Sequence, residues 1–199
     1  SLLLRFYEPQ RGRILVDGRD IREYPKRSLR DRIGIIQQDV FLFSGRISDN
    51  IHLWQADRAS ERSIASLSAM GFKKNLDLPL DERGSNLSMG ERQILAFARA
   101  IEKNPDVWIL DEATANVDSD TEIHFGRELD RVTRGKTLLM IAHRLATIRR
   151  SDLIVVMHKG NLVEKGTHSE LLKSGGHYAR LYRFQFTVER TEFSETEIG

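Results

Sequence analysis

The sequence predicts an α/β fold with a largely parallel sheet, and three observations predict it. Short apolar runs alternate with stretches of helical spacing along most of the chain. One run, Val107-Trp108-Ile109-Leu110, is continuously apolar, as a strand buried on both faces should be. Ser or Thr followed three residues later by Glu marks helix starts at Ser88, Ser119 and Thr167.

Taken in order, Ile14-Leu15-Val16 reads as a short strand ended by the turn pair Asp17-Gly18. Ile33 to Ile36 reads as a second strand. Ile47 to Trp54 and Arg58 to Met70 have helical spacing, with Gly71 placed as a C-terminal cap. A further helix opens at Ser88, carries Ile94, Phe97, Ala98 and Ile101 on one face, and is stopped by Pro105. The run 107–110 follows as a strand. A helix from Ser119 to about Val132, a strand from Lys136 to Ile141 and a short helix from Arg144 to Arg150 come next. Leu153–Met157 and Leu162–Glu164 flank His158-Lys159-Gly160-Asn161 as a hairpin. Thr167 and Glu170 cap a helix that Gly175-Gly176 breaks, and Tyr178 to Phe186 forms the last one. From Thr187 to Gly199 the acidic, threonine-rich composition predicts a frayed tail.

The chain has 199 residues and 40% apolar residues, enough for one packed domain, so wholesale disorder is excluded. Its 31 basic and 29 acidic residues leave a formal charge of +2, which argues against a strongly cationic nucleic-acid binder. There is no cysteine, so disulfide frameworks, thiolate zinc sites and cysteine nucleophiles are excluded. No apolar run approaches the roughly 18 residues that span a bilayer.

Three local patterns carry chemistry. Asp111-Glu112 directly follows the buried strand, at the strand end where α/β sheets bind ligands. Two carboxylates there can divide the work, one holding a hydrated Mg²⁺ and the other orienting and deprotonating water. Alone, the pair reads first as a solvated turn or a helix cap. His143 lies just past the strand ending at Ile141. If that strand neighbours the first, the histidine reaches the same crevice and can bond a phosphate oxygen or a water; otherwise it is structural. His52, His124, His158, His168 and His177 have no such placement and read as structural. Ser88-Met89-Gly90-Glu91 opens a helix, where free amides and the dipole suit an anion, although the Ser88/Glu91 box explains the pattern equally well.

In order, these pieces resemble the ATP-binding cassette of an ABC transporter. Leu87-Ser88-Met89-Gly90-Glu91-Arg92-Gln93 resembles the signature, and Asp106 to Thr114 resembles Walker B. Ala115-Asn116-Val117-Asp118 resembles the D-loop, and Ile141 to Leu145 the switch histidine. Ile35 to Asp39 with Phe41 to Gly45 resembles the Q-loop of exporters. Five such segments in order make the match specific. Leu3 to Pro9 and Gly166 to Leu172 are similar to exporter segments as well.

The resemblance implies a P-loop NTPase-like sheet with a helical subdomain at about 45–104, a partial domain over 1–186, and a tail at 187–199. It implies ATP and Mg²⁺ as ligands. Asp111 would hold Mg²⁺ through water, Glu112 would be the general base, and His143 would contact the γ-phosphate. Gln38 would reach the metal and sense the membrane domain. Ser88 and Gly90 would grip ATP held by a second cassette, and Asp118 would link the two sites. The implied partners are a transmembrane domain and a second cassette in a head-to-tail dimer, without nucleic acid. The implied location is the cytoplasmic face of a plasma or inner membrane.

The sequence departs from that pattern in places. It contains no G-x-x-x-x-G-K-[ST] run. In the family that loop would lie a few residues before Ser1, and the adenine-stacking aromatic further upstream. The expectation is therefore a cassette lacking its N-terminal P-loop portion, binding ATP weakly and hydrolysing little alone. Met89 and Glu91 replace the commoner glycine and glutamine, and the segment from Asn75 to Gly84 is short, which leaves the contact of Glu82 with the membrane domain open. The competing expectation is a non-catalytic module that supplies its signature helix in trans.

Overall fold

The computed structural model describes residues 1–53, 59–111, 119–141 and 148–184, with backbone only at 119 and 120. The chain divides into two units, Ser1–Ile141 and Ala142–Gly199.

The first unit begins with a hairpin of β1 (Leu15–Val16) and β2 (Arg19–Asp20). Asp17 and Gly18 at its turn both take positive φ. The turn pair thus returns the chain into a second strand, which the composition of Arg19-Asp20 does not advertise. After α1 (Lys26–Asp31), strand β3 (Ile33–Ile36) enters a parallel sheet with β6 (Val107–Asp111) and β7 (Thr137–Ile141), in the order β3-β6-β7. Between β3 and β6 lie β4 (Gly45–Arg46), α2 (Ile47–His52), α3 (Glu61–Ala69), β5 (Pro79–Leu80) and α4 (Met89–Lys103). Helix α5 (Ser119–Val132) connects β6 to β7.

Alternation along the strands explains the layers. Ile36, Trp108 and Leu110 pack with α2, α3, α4 and α5 on one face. Ile33 and Ile109 pack with Leu4, Ile21 and Leu29 on the other. Both faces of β3 and β6 are therefore covered, as the continuous apolar runs require. Gly34 marks the closest approach of α4. A Cβ there would lie 2.6 Å from Pro105 Cγ and 3.7 Å from Ala100 Cβ.

Several element ends differ from expectation for local reasons. α2 ends at His52 because Leu53 takes a left-handed conformation (φ 51°) and donates to Asp49 O, while Trp54, the expected end of this helix, lies outside the described residues. α3 starts at Glu61 because the Ser60 hydroxyl accepts from the Ser63 amide. Gly71 behaves as expected: its amide bonds Ser68 O and that of Phe72 bonds Leu67 O, closing a Schellman turn. α4 ends at Lys103, with Asn104 left-handed (φ 48°) ahead of Pro105. Asp111 is the last residue of β6 rather than the first residue beyond it, and Ser119, the expected cap, is already inside α5. Residues 2–5 form turns. Position 58, most of the expected helix at 144–150, and the tail lie outside the described residues.

Polar side chains tie the helical layer together. Ser60, the cap of α3, and Ser63 on α3 donate to Glu102 on α4, while Ser66 on α3 and Arg131 on α5 both donate to Glu128. Together these bonds outweigh burial and hold the Glu102 carboxyl below its usual range. The Glu128 carboxyl is held low chiefly by Arg131.

In the second unit, β8 (Ile154–His158) and β9 (Asn161–Gly166) form an antiparallel hairpin turned by Lys159 and Gly160 alone. Helix α6 (His168–Ser174) carries the expected Thr167/Glu170 box. Residues 177–184 are helical. Ile154, Leu171 and Tyr178 make this unit's core, and the Glu164 carboxylate accepts from the amides of His177 and Tyr178.

Candidate functional site

The parallel register brings three strand ends level. Ile36 is opposite Leu110, Leu110 opposite Met140, and Asp111 opposite Ile141. The sheet thus has one carboxyl edge. Gln38 follows β3 by two residues and is exposed, its side chain free of hydrogen bonds among the described residues. Asp111 is half-buried and likewise makes no hydrogen bond or ion pair among the described residues. By sequence Glu112 follows Asp111, and His143 follows Ile141 by two residues. Glu112, Asp118 and His143 lie outside the described residues.

Asp111 and Gln38 offer hard oxygen donors at one edge, one of them anionic. That donor set fits Mg²⁺ carried with water and phosphate oxygens.

Ser88 and Gly90 stand at the start of α4. Both halves of the capping box form: the Glu91 amide donates to Ser88 Oγ at 3.1 Å, and the Ser88 amide donates to the Glu91 carboxylate at 2.8 Å. Lys74 Nζ lies 3.5 Å from the same carboxylate. The charge of Glu91 is therefore turned onto the backbone and a lysine. The first helical bond is Arg92 N to Ser88 O. The amides of Met89 and Gly90 have no partner among the described residues, which leaves two donors and the positive end of a 15-residue helix facing outward. Ser88 is exposed and Gly90 half-buried. The structure gives no bond between this turn and Asp111 or Gln38.

Helix α4 runs opposite to β3. Its C-terminal half covers Gly34, whereas Gln93, in its second turn, reaches the backbone beyond β3. Gln93 Nε2 donates to Gln38 O at 2.9 Å and to Gln37 O at 3.4 Å. Two turns further on, Arg99 donates to Asn50 O at 2.8 Å, Phe41 O at 3.0 Å and Asn50 Oδ1 at 3.2 Å. Asn50 in turn accepts from the Phe43 amide and donates to Phe43 O and Arg46 O. Burial pulls the Arg99 pKa down. These residues hold the 37–50 segment from below. Above it, Phe41 and Phe43 are exposed in an edge-to-face pair with centroids 5.0 Å apart. Gln93 belongs to the signature-like segment, but neither it nor Arg99 nor Asn50 is given a role by the sequence alone. The available signal was their polarity beside the apolar stripe of α4 and at the end of α2.

Among the histidines read as structural, His52 is buried 3.8 Å from Asp49, and His168 shares a 2.7 Å bond with the Tyr178 hydroxyl. His158 and His177 stack at 5.5 Å.

Residues 1–115 match the family model described as ABC transporter. The chain is 42% identical over 192 residues to the Bacillus subtilis (strain 168) protein named "Probable multidrug resistance ABC transporter ATP-binding/permease protein YheH", covering 93% of this chain and 28% of that one. It is 41% identical over 197 residues to an ATP-dependent lipid A-core flippase of Aromatoleum aromaticum, covering 95% of this chain and 33% of that one. A solved bacterial Atm1-family ABC exporter with ATP bound superposes with a TM-score of 0.86 at 39% identity, covering 92% of this chain and 34% of that one. The chain spans about a third of the length of the curated relatives it matches. An α/β unit with a parallel sheet, a capped signature helix and these likenesses lead to one conclusion: the chain belongs to the ABC transporter family, as an exporter-type nucleotide-binding domain.

Proposed function

We propose that this chain is part of a domain that binds and hydrolyses ATP to drive export across a membrane. The observation that carries the reading is the level carboxyl edge, with Gln38 and Asp111 at the ends of β3 and β6. Glu112 and His143 follow that edge in sequence. The flippase and multidrug names belong to relatives and suggest an exported amphiphile or drug as the cargo class.

In this reading Asp111 and Gln38 hold Mg²⁺, Asp111 through water. Held there, Mg²⁺ would supply positive charge against the phosphates of bound ATP. Glu112 accepts a proton from water as its oxygen attacks the γ-phosphorus. The β–γ bridging bond breaks, and the bridging electron pair leaves with ADP. His143 bonds the γ-phosphate and fixes the line of attack. Ser88 and Gly90 face the γ-phosphate of ATP held by a second cassette, and Asp118 connects the two sites. The 37–50 segment meets a transmembrane domain, which puts the cassette at the cytoplasmic face of a plasma or inner membrane. The partial domain extends over 1–186, with its helical part at about 45–104 and a tail at 187–199.

This 199-residue chain contains no G-x-x-x-x-G-K-[ST] loop, so by itself it should bind Mg-ATP weakly and turn it over slowly. Calorimetric titration checks this, and tight binding by the isolated chain would overturn it. In the intact transporter, Glu112→Gln should abolish turnover while nucleotide binding persists; a fully active Glu112→Gln removes Glu112 as the base. His143→Ala should slow hydrolysis by about 10²-fold or more, as loss of a positioned polar group does, with ATP affinity nearly unchanged. An unaltered rate removes His143 from the site.

A further inference from the structure

The buried face of α4 carries a side chain that packing alone does not explain. Gln93 is 3% exposed among Ile94, Leu95, Phe97 and Ala98. Its Nε2 is spent on the carbonyls of Gln37 and Gln38. Its Oε1 is buried with no hydrogen-bond partner among the described residues. A buried amide half satisfied is a cost that a methionine of similar size would avoid. What the glutamine provides in return is a fixed link between two places. Gln93 stands five residues from Ser88, about 7.5 Å along a rigid helix. The Gln37–Gln38 backbone it grips belongs to no strand or helix and makes no other hydrogen bond among the described residues.

We propose that Gln93 is a positioning residue that fixes the Gln38 backbone to the helix opening at Ser88, so that the segment facing this cassette's own nucleotide and the helix start facing that of the second cassette move as one body. A displacement of the Ser88 turn is then delivered to Gln38 through one side chain, and a displacement of the 37–50 segment returns by the same path. The inference rests on the proposed function, in which Gln38 and Ser88 both face nucleotide.

The test compares Gln93→Met and Gln93→Glu with Ile94→Val in the full-length transporter. Both Gln93 variants remove the donor at nearly constant size, and glutamate also sets a carboxylate against two carbonyls. Ile94→Val loosens the same core without touching the 37–38 backbone. Hydrogen exchange is read at amides 37–41, with β6 amides reporting that each variant is folded. Exchange at 37–41 should rise about 3- to 10-fold in both Gln93 variants, the loss of one buried hydrogen bond. ATPase kcat should fall by a similar factor, with KM for Mg-ATP moving less than twofold in rough terms. Ile94→Val should do neither.

Unchanged exchange at 37–41 overturns the link whatever the transporter does. Raised exchange with kcat and KM like those of Ile94→Val overturns the positioning role while leaving the proposed function intact. A wild-type transporter that does not hydrolyse ATP overturns that function and the coupling with it, while the exchange result still reports the link.

Discussion

Trp108 and Asn50 are both 0% exposed, and they are buried for opposite reasons. Trp108 sits on β6, the middle strand of the sheet, with Phe97 at 5.7 Å between ring centroids. Its indole N–H has no partner among the described residues. Packing carries that residue, and the sheet tolerates an unmade hydrogen bond to keep it. Asn50 packs little apolar surface, yet its amide serves Phe43, Arg46 and Arg99 through four hydrogen bonds. The sheet is held by buried area and a regular ladder. The segment leaving β3 is held by side chains that reach for its backbone. The first arrangement is stiff and insensitive to detail. The second can be released bond by bond, which is the property the proposed function asks of a segment between nucleotide and partner.

The comparison breaks if the two residues fail in the same way. Trp108→Ala should cost about 3–5 kcal/mol of global stability, the range for deleting a core aromatic. Urea unfolding followed by circular dichroism measures it, and hydrogen exchange should rise throughout the first unit. Asn50→Ala should cost about 1–3 kcal/mol by stranding buried groups, with exchange rising mainly at 41–46. A uniform rise in Asn50→Ala would show that the segment and the sheet are one cooperative body.

Gly34→Val sharpens the same contrast from the sheet side. Any Cβ at 34 meets Pro105 Cγ at 2.6 Å, and the ring is fixed against α4. The expected loss is about 1–3 kcal/mol from overpacking, read from the same urea transition. A neutral outcome would mean that α4 slides on β3 without cost.

Acid separates the polar helical layer from the apolar sheet. Glu102 and Glu128 are both held below the usual carboxylate range in the folded chain. Their contribution is complete above the unfolded-state value, near pH 4.3 in rough terms. It is lost as pH falls from there through their folded values. Stability should therefore decline below about pH 4–5, and Glu128→Gln should flatten that decline while lowering stability at pH 7. Parallel pH profiles for wild type and Glu128→Gln would show that its pairing with Arg131 and Ser66 is not distinctive to the folded state.

Much of this architecture was legible, and what was missed shares one physical character. Val107 to Leu110 announces a strand buried on two faces because apolar side chains on both sides of a pleat leave no alternation to read. Ser88/Glu91 and Thr167/Glu170 announce helix starts because the bonds that make them are local. The pairing of Gly45–Arg46 with Pro79–Leu80 was not legible: two residues carry no period, and their partner is far along the chain. Gln93 and Arg99 were not legible because a polar residue beside an apolar stripe looks like the stripe's edge until its carbonyl partners are known. The reading of His143 required the strand ending at Ile141 to neighbour the one ending at Asp111, and the parallel register of Asp111 with Ile141 supplies that neighbour, while His143 itself lies outside the described residues.

The smallest expected effect compares two helices with the same opening. Ser88 and Thr167 both make complete capping boxes, in the first and second units respectively. Ser88→Ala and Thr167→Ala should each cost about 1 kcal/mol, measured by urea unfolding. In the intact transporter the two should then diverge. Thr167→Ala should leave ATPase activity near wild type, because its cap only opens a helix. Ser88→Ala should lower kcat by more than the shared stability loss explains, because in the proposed function the Met89 and Gly90 amides it orients face the nucleotide of a second cassette. Ser88→Gly supplies the check, since glycine keeps most of the cap at a cost of only a few tenths of a kcal/mol but has no hydroxyl. If Ser88→Gly restores stability and not kcat, the hydroxyl itself contacts phosphate. If it restores both, Ser88 acts through the helix alone.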